Sequence, residues 1–329
     1  MSILEVKNLN ISFSTLFGEV KAVKNVSFEV KDREILGIVG ESGSGKSVTN
    51  LGIMGLLDKT NSKVTGESVK LLDKEILNLK EIEMCKIRGR DISMIFQEPM
   101  TSLNPVVTVY NQLREVYKLH DKSKYKNCRE HLKELLEKLH VPEADKVLDK
   151  YPFELSGGLK QRIMIAMAMV CEPKLLICDE PTTALDVTTQ AEILSLIEEI
   201  KEKENMSAIF ITHDLGVVSQ LADRVIVMYF GEIVEECKVE DFFKNPLHPY
   251  SIDLLNTMPE NFNGRFATIK GQIPRATEVI EGCAYYNRCN YACDKCKEKT
   301  VELEVINENR KVRCVRTLEI GGDNSVKGK

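Results

Sequence analysis

The apolar positions of the first 230 residues fall into short runs separated by longer stretches with helical spacing. The runs EILGIVG (34–40), KLLICDE (174–180) and SAIFITHD (207–214) are rich in aliphatic residues and end at glycine or polar residues, which is typical of buried strands. RVIVMYFGEIVEE (224–236) predicts a hairpin that turns at Gly231. Strands that alternate with helices predict an α/β domain with a largely parallel sheet.

A helical pattern without a predicted strand occupies the chain from about residue 98 to about residue 170, with runs such as CREHLKELLEKLH. We interpret it as a helical subdomain inserted into the α/β domain. After residue 236 the sequence brings prolines in NPLHPY, then closely spaced cysteines, then the charged tail EIGGDNSVKGK. The pattern predicts an α/β domain over residues 1–236 and a small C-terminal domain over residues 237–329, with disorder after about residue 319.

Composition and charge narrow the class of protein. The chain has 329 residues, of which 43% are hydrophobic and 29% charged, and its net charge of −5 argues against a nucleic-acid-binding protein. The most apolar run, IMIAMAMVC at 163–171, is much shorter than the roughly 20 residues that a membrane-spanning helix needs. The first residues, MSILEVKNLNISF, alternate like a strand and lack the features of a secretory signal. Ten cysteines in such a chain therefore indicate the reducing cytosol rather than a disulfide framework.

The segment GESGSGKS at 40–47 fits G-x-x-x-x-G-K-[ST] and lies between a predicted strand and the predicted helix VTNLGIMGLL. Glycines in such a loop let successive N–H groups point at phosphate oxygens, and the N-terminus of the helix adds partial positive charge. Lys46 would reach the β- and γ-phosphates, and the Ser47 hydroxyl would bind Mg²⁺. The alternative is a Gly/Ser-rich turn that matches by chance. The candidate nucleotide-binding residues of this segment are Gly40, Ser42, Gly43, Ser44, Gly45, Lys46, Ser47 and Val48.

Two adjacent acids end the predicted strand KLLICDE. Asp179 would hold Mg²⁺ directly or through water, and Glu180 would polarise the attacking water as a general base. Adjacent carboxylates at a strand end can also be solvated turn residues. Their occurrence together with a phosphate loop favours the catalytic interpretation.

Six motifs occur in the order found in ATP-binding subunits of ABC transporters, and the chain resembles such a subunit over about residues 3–235. The motifs are the phosphate loop (40–47), Gln97 in MIFQEPM, the signature LSGG (155–158), LLICDE (175–180), ALD (184–186) and His213 in ITHD. The resemblance implies a P-loop ABC-type nucleotide-binding domain with a helical subdomain. It also implies that ATP and Mg²⁺ are its ligands.

The resemblance also implies a role for each motif. Gln97 would sense the Mg²⁺ and the attacking water, and His213 would hydrogen-bond the γ-phosphate. Phe13 would stack on adenine, with Phe17 as a competing candidate. In this family the signature faces the γ-phosphate bound to the opposite subunit; its residues here are Ser156, Gly157 and Gly158. The sequence departs from the family pattern at Leu159, where the signature usually has glutamine.

Several stretches resemble the ATP-binding subunits of dipeptide and oligopeptide importers, a branch that also includes nickel importers. They are FQEPMTSLNP (96–105), EPTTALDVTTQAEIL (180–194) and NPLHPYSIDLL (245–255). The expected function is therefore ATP hydrolysis that powers import of di- or oligopeptides, with nickel or another small solute as the alternative. A soluble ABC ATPase of nucleic-acid metabolism is a further alternative, but such proteins carry two cassettes or a long coiled-coil insertion.

The tail contains the cysteine spacing typical of this branch, which is thought to hold a [4Fe-4S] cluster there. The matching residues are Cys283, Cys289, Cys296 and Cys314, whereas Cys293 falls outside the pattern. Four thiolates can hold either Zn²⁺ or an iron–sulfur cluster, and a set of unmetallated thiols is also possible. We expect a structural iron–sulfur site, with Zn²⁺ as the alternative. His248 in LHPY is interpreted as a turn residue rather than a ligand.

The resemblance implies partners as well. They are a second ATP-binding subunit, identical or related, and two transmembrane permease subunits. An extracellular peptide-binding protein would be involved indirectly, and no nucleic-acid partner is expected. The expected location is the cytoplasmic face of the cell membrane.

Overall fold

The computed structural model describes residues 1–16, 18–97, 102–182, 186–258, 268–298, 300–317 and 319–320. Four features predicted from the sequence lie wholly or partly outside these residues. They are Phe17, the first residues of the helical subdomain (98–101), Ala184 and Leu185 of the ALD motif, and the tail from residue 321. The chain forms two compact units, the first of Met1–Ile3, Val30–Arg33 and Asn78–Phe210, and the second of Leu4–Glu29, Glu34–Leu77 and Ile211–Lys329.

The described chain forms thirteen strands and twelve α-helices. The strands are β1 (Ser2–Thr15), β2 (Gly18–Lys31), β3 (Ile35–Val39), β4 (Ser62–Thr65), β5 (Ser68–Leu71), β6 (Lys74–Glu75), β7 (Ile92–Ile95), β8 (Leu175–Asp179), β9 (Ser207–Ile211), β10 (Arg224–Tyr229), β11 (Glu232–Lys238), β12 (Glu304–Asn307) and β13 (Arg310–Val312). The helices are α1 (Lys46–Ile53), α2 (Glu81–Ile87), α3 (Val109–His120), α4 (Lys122–Tyr125), α5 (Cys128–Lys138), α6 (Ala144–Leu148), α7 (Gly157–Met169), α8 (Val187–Glu204), α9 (Leu215–Leu221), α10 (Val239–Lys244), α11 (Pro249–Asn256) and α12 (Lys295–Glu298). Within the described residues, no helix combines the length and the apolar character needed to cross a membrane.

The first unit contains parallel strands and the predicted helical subdomain. β7 and β8 pair in parallel, with Ile92 opposite Leu175, and β9 lies on the other side of β8. All five residues of β8 and of β9 are buried, which explains why their sequences are continuous apolar runs rather than alternating ones. Between β7 and β8 the described residues form helices α3 to α7 and no strand, as the helical spacing predicts.

Two helices of this subdomain, α3 and α5, bury side chains at a regular helical spacing. α3 begins at Thr108, whose hydroxyl accepts a hydrogen bond from the Asn111 amide, and α3 buries Val109, Leu113 and Tyr117 at intervals of four residues. α5 buries Cys128, Leu132 and Leu136 at the same interval. Residues four apart lie on one face of a helix, so these helices pack through one side and expose the other.

The second unit contains a sheet with the strand order β12-β13-β11-β10-β3. β3 and β10 are parallel, and β10 and β11 form the predicted antiparallel hairpin. Gly231 turns this hairpin with φ +82°, and a Cβ there would lie 2.7 Å from the Ala22 carbonyl oxygen. β13 pairs with β11, so residues beyond 237 extend this sheet.

The second unit also contains an antiparallel sheet, of which the sequence predicted only the first strand. Its order is β2-β1-β5-β6, with β4 also paired to β1. β4, β5 and β6 have four, four and two residues, too few for a periodic pattern to identify. The fold is therefore mixed α/β and less dominated by parallel strands than predicted.

Candidate nucleotide-binding site

The phosphate loop of the second unit connects β3 to α1. Gly40 has φ +148° and a Cβ there would lie 2.2 Å from the Met228 carbonyl oxygen. Gly45 has φ +102° and a Cβ there would lie 2.6 Å from the Ala22 carbonyl oxygen. Both positions therefore need glycine for conformation and for space. Gly43, with φ +79°, faces open space, because a Cβ there would have no atom within 4 Å.

Lys46 is the buried cation of this loop. Its Nζ donates hydrogen bonds to the carbonyl oxygens of Gly40, at 2.7 Å, and Glu41, at 3.0 Å, and lies 3.5 Å from the Ser44 hydroxyl. The Lys46 side chain thus extends from the first turn of α1 across the concave side of the phosphate loop. Phosphate oxygens can replace these carbonyl oxygens as acceptors, since an ammonium group donates to either.

The remaining predicted loop residues flank this cation. Ser42 is exposed, Ser44 is buried, and Ser47 and Val48 are half-buried in the first turn of α1. α1 begins at Lys46, and the partial positive charge at the N-terminus of a helix favours an anion there.

Two further predicted residues lie in the second unit. His213 is exposed and follows Thr212, whose N–H donates to the Ile38 carbonyl oxygen of β3 at 3.4 Å. His213 therefore lies after the end of β9, next to the strand that leads into the phosphate loop. Phe13 is half-buried in β1, opposite Ser62 of β4.

In the first unit, the structure brings Gln97 and Glu180 together. Gln97 Nε2 donates to Glu180 Oε2 at 3.0 Å. Gln97 lies shortly after β7 and Glu180 directly after β8, and the parallel pairing of these strands brings their C-terminal ends side by side. Asp179 is the last residue of β8 and is buried, whereas Glu180 is half-buried. Glu180 adopts φ +47°, which is rare for residues other than glycine and turns the chain sharply at the strand end.

The signature segment forms the N-terminus of α7. Ser156 is its N-cap, and the Ser156 hydroxyl accepts a hydrogen bond from the Leu159 amide at 3.4 Å. Gly157 is exposed, and a Cβ there would have no atom within 4 Å. The helix therefore presents an open N-terminus on which an anion could bind.

Gln161 is a residue that the sequence analysis did not single out. It lies in α7, is fully buried, and donates from Nε2 to the Pro181 carbonyl oxygen, directly after Glu180. This hydrogen bond ties the signature helix to the turn that carries the predicted general base. Gln161 stands between Lys160 and Arg162 in the sequence, so its context did not mark it as a buried residue.

The four predicted cluster cysteines line one pocket of the second unit, with about 350 Å³ of empty volume. Burial raises the pKa of the Cys283 thiol to about 11 and that of Cys289 to about 12. The N–H of Cys283 donates to the Cys296 carbonyl oxygen at 2.8 Å, and this bond joins two of the cysteine segments. Cys293 does not line the pocket, and its Sγ lies 3.6 Å from that of Cys296.

The described residues contain no group of three or more His, Cys, Asp or Glu side chains that could hold a metal ion. The structure thus does not support the predicted metal site, although it gathers the predicted thiols. His248, which also lines the pocket, caps helix α11, in agreement with its interpretation as a turn residue.

Comparison with known proteins identifies two matching family models. Residues 23–183 match the family described as "ABC transporter". Residues 234–296 match the family described as "Oligopeptide/dipeptide transporter, C-terminal region". The second match includes Cys283, Cys289 and Cys296 and ends before Cys314.

Relatives of known name match nearly the whole chain. The oligopeptide transport ATP-binding protein AppD of Bacillus subtilis is 46% identical, over 98% of this chain and 99% of its own length. The dipeptide transport ATP-binding protein DppD of Haemophilus influenzae is 45% identical, over 98% of each chain. Among solved structures, the dimeric ATP-binding cassette MJ0796 in a post-hydrolysis state bound to ADP and Pi is 30% identical with a TM-score of 0.62, over 72% of this chain and 98% of that one. The chain therefore belongs to the ABC transporter family of ATPases, as a member of the ATP-binding subunits of its oligopeptide/dipeptide branch.

Proposed function

We propose that this chain hydrolyses ATP to power the import of di- or oligopeptides through a membrane ABC transporter. The main support for ATP hydrolysis is the 3.0 Å hydrogen bond from Gln97 to Glu180, which lies beside the buried Asp179. An amide donor on a carboxylate at a strand end is an arrangement suited to hold and polarise a water molecule. The names of the relatives favour peptides over nickel or another small solute.

The proposed roles follow the family motifs residue by residue. The phosphate loop holds the triphosphate through its backbone N–H groups and Lys46. Ser47, Asp179 and Gln97 would hold Mg²⁺, which when bound would neutralise charge that develops on the phosphates. Glu180 takes a proton from the attacking water, and His213 donates a hydrogen bond to the γ-phosphate. Phe13 stacks on the adenine ring.

A second ATP-binding subunit completes the proposed catalytic unit. The open N-terminus of α7, at Ser156, Gly157 and Gly158, is proposed to bind the γ-phosphate held by the other subunit. The dimeric cassette among the structural relatives supports this arrangement. Two membrane permease subunits and, indirectly, an extracellular peptide-binding protein are the remaining proposed partners. The chain would then lie on the cytoplasmic face of the membrane.

Glu180→Gln tests the hydrolytic step. Loss of a general base is expected to lower ATP turnover by at least about 100-fold while ATP binding is retained. In the presence of ATP, the Glu180→Gln variant should then accumulate as a stable dimer, which size-exclusion chromatography would detect. Glu192→Gln, which changes an exposed glutamate paired with Arg162 in the same unit, is the matched control and should keep wild-type turnover. Unchanged turnover in Glu180→Gln would contradict the proposed role.

A transport assay tests the solute. The chain would be co-purified with its membrane subunits, reconstituted in liposomes and supplied with the peptide-binding protein loaded with peptide. Peptide is expected to stimulate ATP hydrolysis and to enter the vesicles, whereas Ni²⁺ should do neither. Stimulation by Ni²⁺ alone would favour the nickel alternative.

We also propose that Cys283, Cys289, Cys296 and Cys314 hold a [4Fe-4S] cluster. Their shared pocket supports this, and so does the partial burial that raises the pKa of the Cys283 thiol, since bound iron would stabilise the thiolates that burial alone disfavours. Such a cluster would crosslink the C-terminal segments. Anaerobically purified protein should be brown and contain about four iron atoms with acid-labile sulfide. Cys289→Ser should lose the iron and Cys293→Ser should keep it; colourless protein containing zinc would refute the cluster.

A further inference from the structure

Glu41, the second residue of the phosphate loop, is bound by two residues from the C-terminal part of the second unit. Arg288 makes a two-pronged ion pair with its carboxylate, with Nη1–Oε2 at 2.6 Å and Nη2–Oε1 at 3.0 Å. The backbone N–H of Glu41 donates to the Tyr250 hydroxyl at 2.7 Å. The side chain of Arg288 is only 4% exposed and that of Glu41 is 26% exposed. The ion pair is thus largely removed from water, where such pairs are most directional.

Arg288 belongs to the turn between Cys283 and Cys289. The turn is a single 3-10 helix, Tyr286–Arg288, that ends at Cys289. The Tyr286 N–H donates to the Cys283 carbonyl oxygen at 3.0 Å, and the Cys289 N–H donates to that of Tyr286 at 3.2 Å. Backbone groups of the first two cluster cysteines therefore hold both ends of the turn that carries Arg288, and the Cys289 Sγ accepts a hydrogen bond from the Tyr291 N–H at 3.3 Å.

Other contacts fix the direction of the Arg288 side chain. Its Nε donates to the Lys270 carbonyl oxygen at 2.8 Å, and its Nη1 lies 3.4 Å from the Tyr229 hydroxyl. The neighbouring Tyr285 packs edge-on against Tyr229, with ring centroids 5.1 Å apart, and donates its hydroxyl proton to Asp253 at 2.5 Å. A guanidinium held in this way has little freedom to leave the Glu41 carboxylate.

The charge of Glu41 has a consequence for nucleotide binding, which the proposed function assigns to this loop. An unpaired carboxylate in a phosphate loop would repel the anionic phosphates, and the repulsion would be weakly screened at a partly buried site. Arg288 cancels this charge and restricts the rotation of the carboxylate. The Glu41 carbonyl oxygen, which accepts from Lys46 at 3.0 Å, belongs to the same restrained residue.

We propose that Arg288 is a positioning residue for the phosphate loop, which neutralises and orients Glu41 and so makes nucleotide affinity depend on the conformation of the cysteine turn. The two ends of this link are 247 residues apart in the sequence. Reciprocity requires that a change in the turn alters nucleotide affinity and that nucleotide binding alters the turn.

The test measures the dissociation constant of Mg-ADP by calorimetry on the full chain, because ADP is not turned over. Arg288→Ala is expected to weaken binding about tenfold, the loss typical of one charge-assisted interaction. Glu41→Gln alone should change the constant less than about twofold, since the arginine then faces a neutral amide. The double variant R288A/E41Q should return to within about threefold of wild type, because the unpaired carboxylate is gone. If Arg288 only supported folding, adding Glu41→Gln to Arg288→Ala would not restore the affinity for ADP.

Arg310→Ala is the matched control. It removes another buried arginine of the same unit, paired with Glu235 at 2.6 Å, and should lower the melting temperature without changing ADP affinity. Wild-type affinity in Arg288→Ala, or a loss that Glu41→Gln does not relieve, would overturn the proposal. If Arg288→Ala does not melt cooperatively, Arg288→Met carries the test with the same two criteria, since methionine fills much of the same space but cannot neutralise the Glu41 carboxylate.

Cys289→Ser tests the link to the turn. It should weaken ADP binding about threefold in the wild-type background and leave the R288A/E41Q double variant unchanged. Equal effects in the two backgrounds, or none, would overturn the link. A wild-type chain that fails to bind ADP, or binding that survives Lys46→Ala, would instead count against the proposed use of the loop.

Discussion

His248 gives the protein a built-in sensitivity to acid. It is buried and caps α11, and its Nδ1 accepts a hydrogen bond from the Tyr250 N–H at 3.1 Å. An acceptor nitrogen must be unprotonated, so the folded state needs the neutral ring. Burial, with a smaller contribution from the charge of Arg313, lowers the pKa of His248 from 6.5 to about 3. Glu235 also contacts this residue, since its carboxylate accepts a hydrogen bond from the His248 backbone N–H at 2.9 Å.

The sign of the effect follows from proton binding. Between about pH 6.5 and about pH 3 the unfolded chain binds a proton at His248 that the folded protein does not accept. The stability that depends on the neutral ring is therefore complete above about pH 6.5 and is lost as the pH falls towards 3. At about pH 5 the solution lies about 1.5 pH units below the unfolded-state value, which at about 1.36 kcal/mol per unit gives a loss of about 2 kcal/mol.

Urea unfolding followed by far-UV circular dichroism measures this loss. The free energy of unfolding would be determined at about pH 7.5 and about pH 5 for wild type and for His248→Asn, which keeps a capping side chain. On acidification, the free energy of unfolding of the wild type should fall by about 2 kcal/mol more than that of the variant. Since both proteins share every other titratable group, their difference isolates His248. An equal loss in the two proteins would refute the reasoning.

Three further substitutions have defined expectations. Gly157→Ala adds a methyl group with no atom within 4 Å, so thermal stability should be retained while ATP-dependent dimer formation weakens, measured by analytical ultracentrifugation; an unchanged dimer would contradict the signature's proposed role. Gly45→Ala should destabilise the fold by more than about 1 kcal/mol in urea, because φ is +102° and the new carbon would meet the Ala22 carbonyl oxygen at 2.6 Å; wild-type stability would contradict this. Asp186→Ala should lower the free energy of unfolding by about 1 kcal/mol, because the Asp186 carboxylate accepts a hydrogen bond from the Thr189 amide at 3.0 Å and caps α8. Asp186→Asn should lower it less, and equal losses in the two variants would exclude a capping origin.

The features predicted correctly from the sequence are those whose cause is local. β3, β8 and β9 are buried along their whole length, so each appears in the sequence as an uninterrupted apolar run. The phosphate loop is recognisable because Gly40 and Gly45 occupy backbone conformations and spaces that exclude other residues. Because such requirements restrict which residue can occupy a fixed position, they can be recognised as a sequence motif.

The features that were missed depend on pairing between distant segments. Arg288 and Glu41 are separated by 247 residues, and neither residue type is unusual in its local context. The short strands β4 and β5 are specified mainly by their partner β1, and β6 by its partner β5, since these strands contain too few residues for a periodicity of their own. Gln161 lies between Lys160 and Arg162, so its sequence context indicates neither its burial nor its acceptor, the Pro181 carbonyl oxygen.

At Glu180, one feature has a local cause and another depends on distant segments of the chain. Its identity and its position after an apolar strand could be predicted, but its backbone conformation could not, because φ +47° is uncommon for a glutamate. A non-glycine residue in this region costs about 1 kcal/mol or more and persists only where its surroundings fix it. Here the Gln97 amide binds the carboxylate and the Gln161 amide binds the next carbonyl group, so both sides of the turn are held. The strained turn is thus supported by side chains from two motifs, and a change in either should move the carboxylate proposed to act as the base.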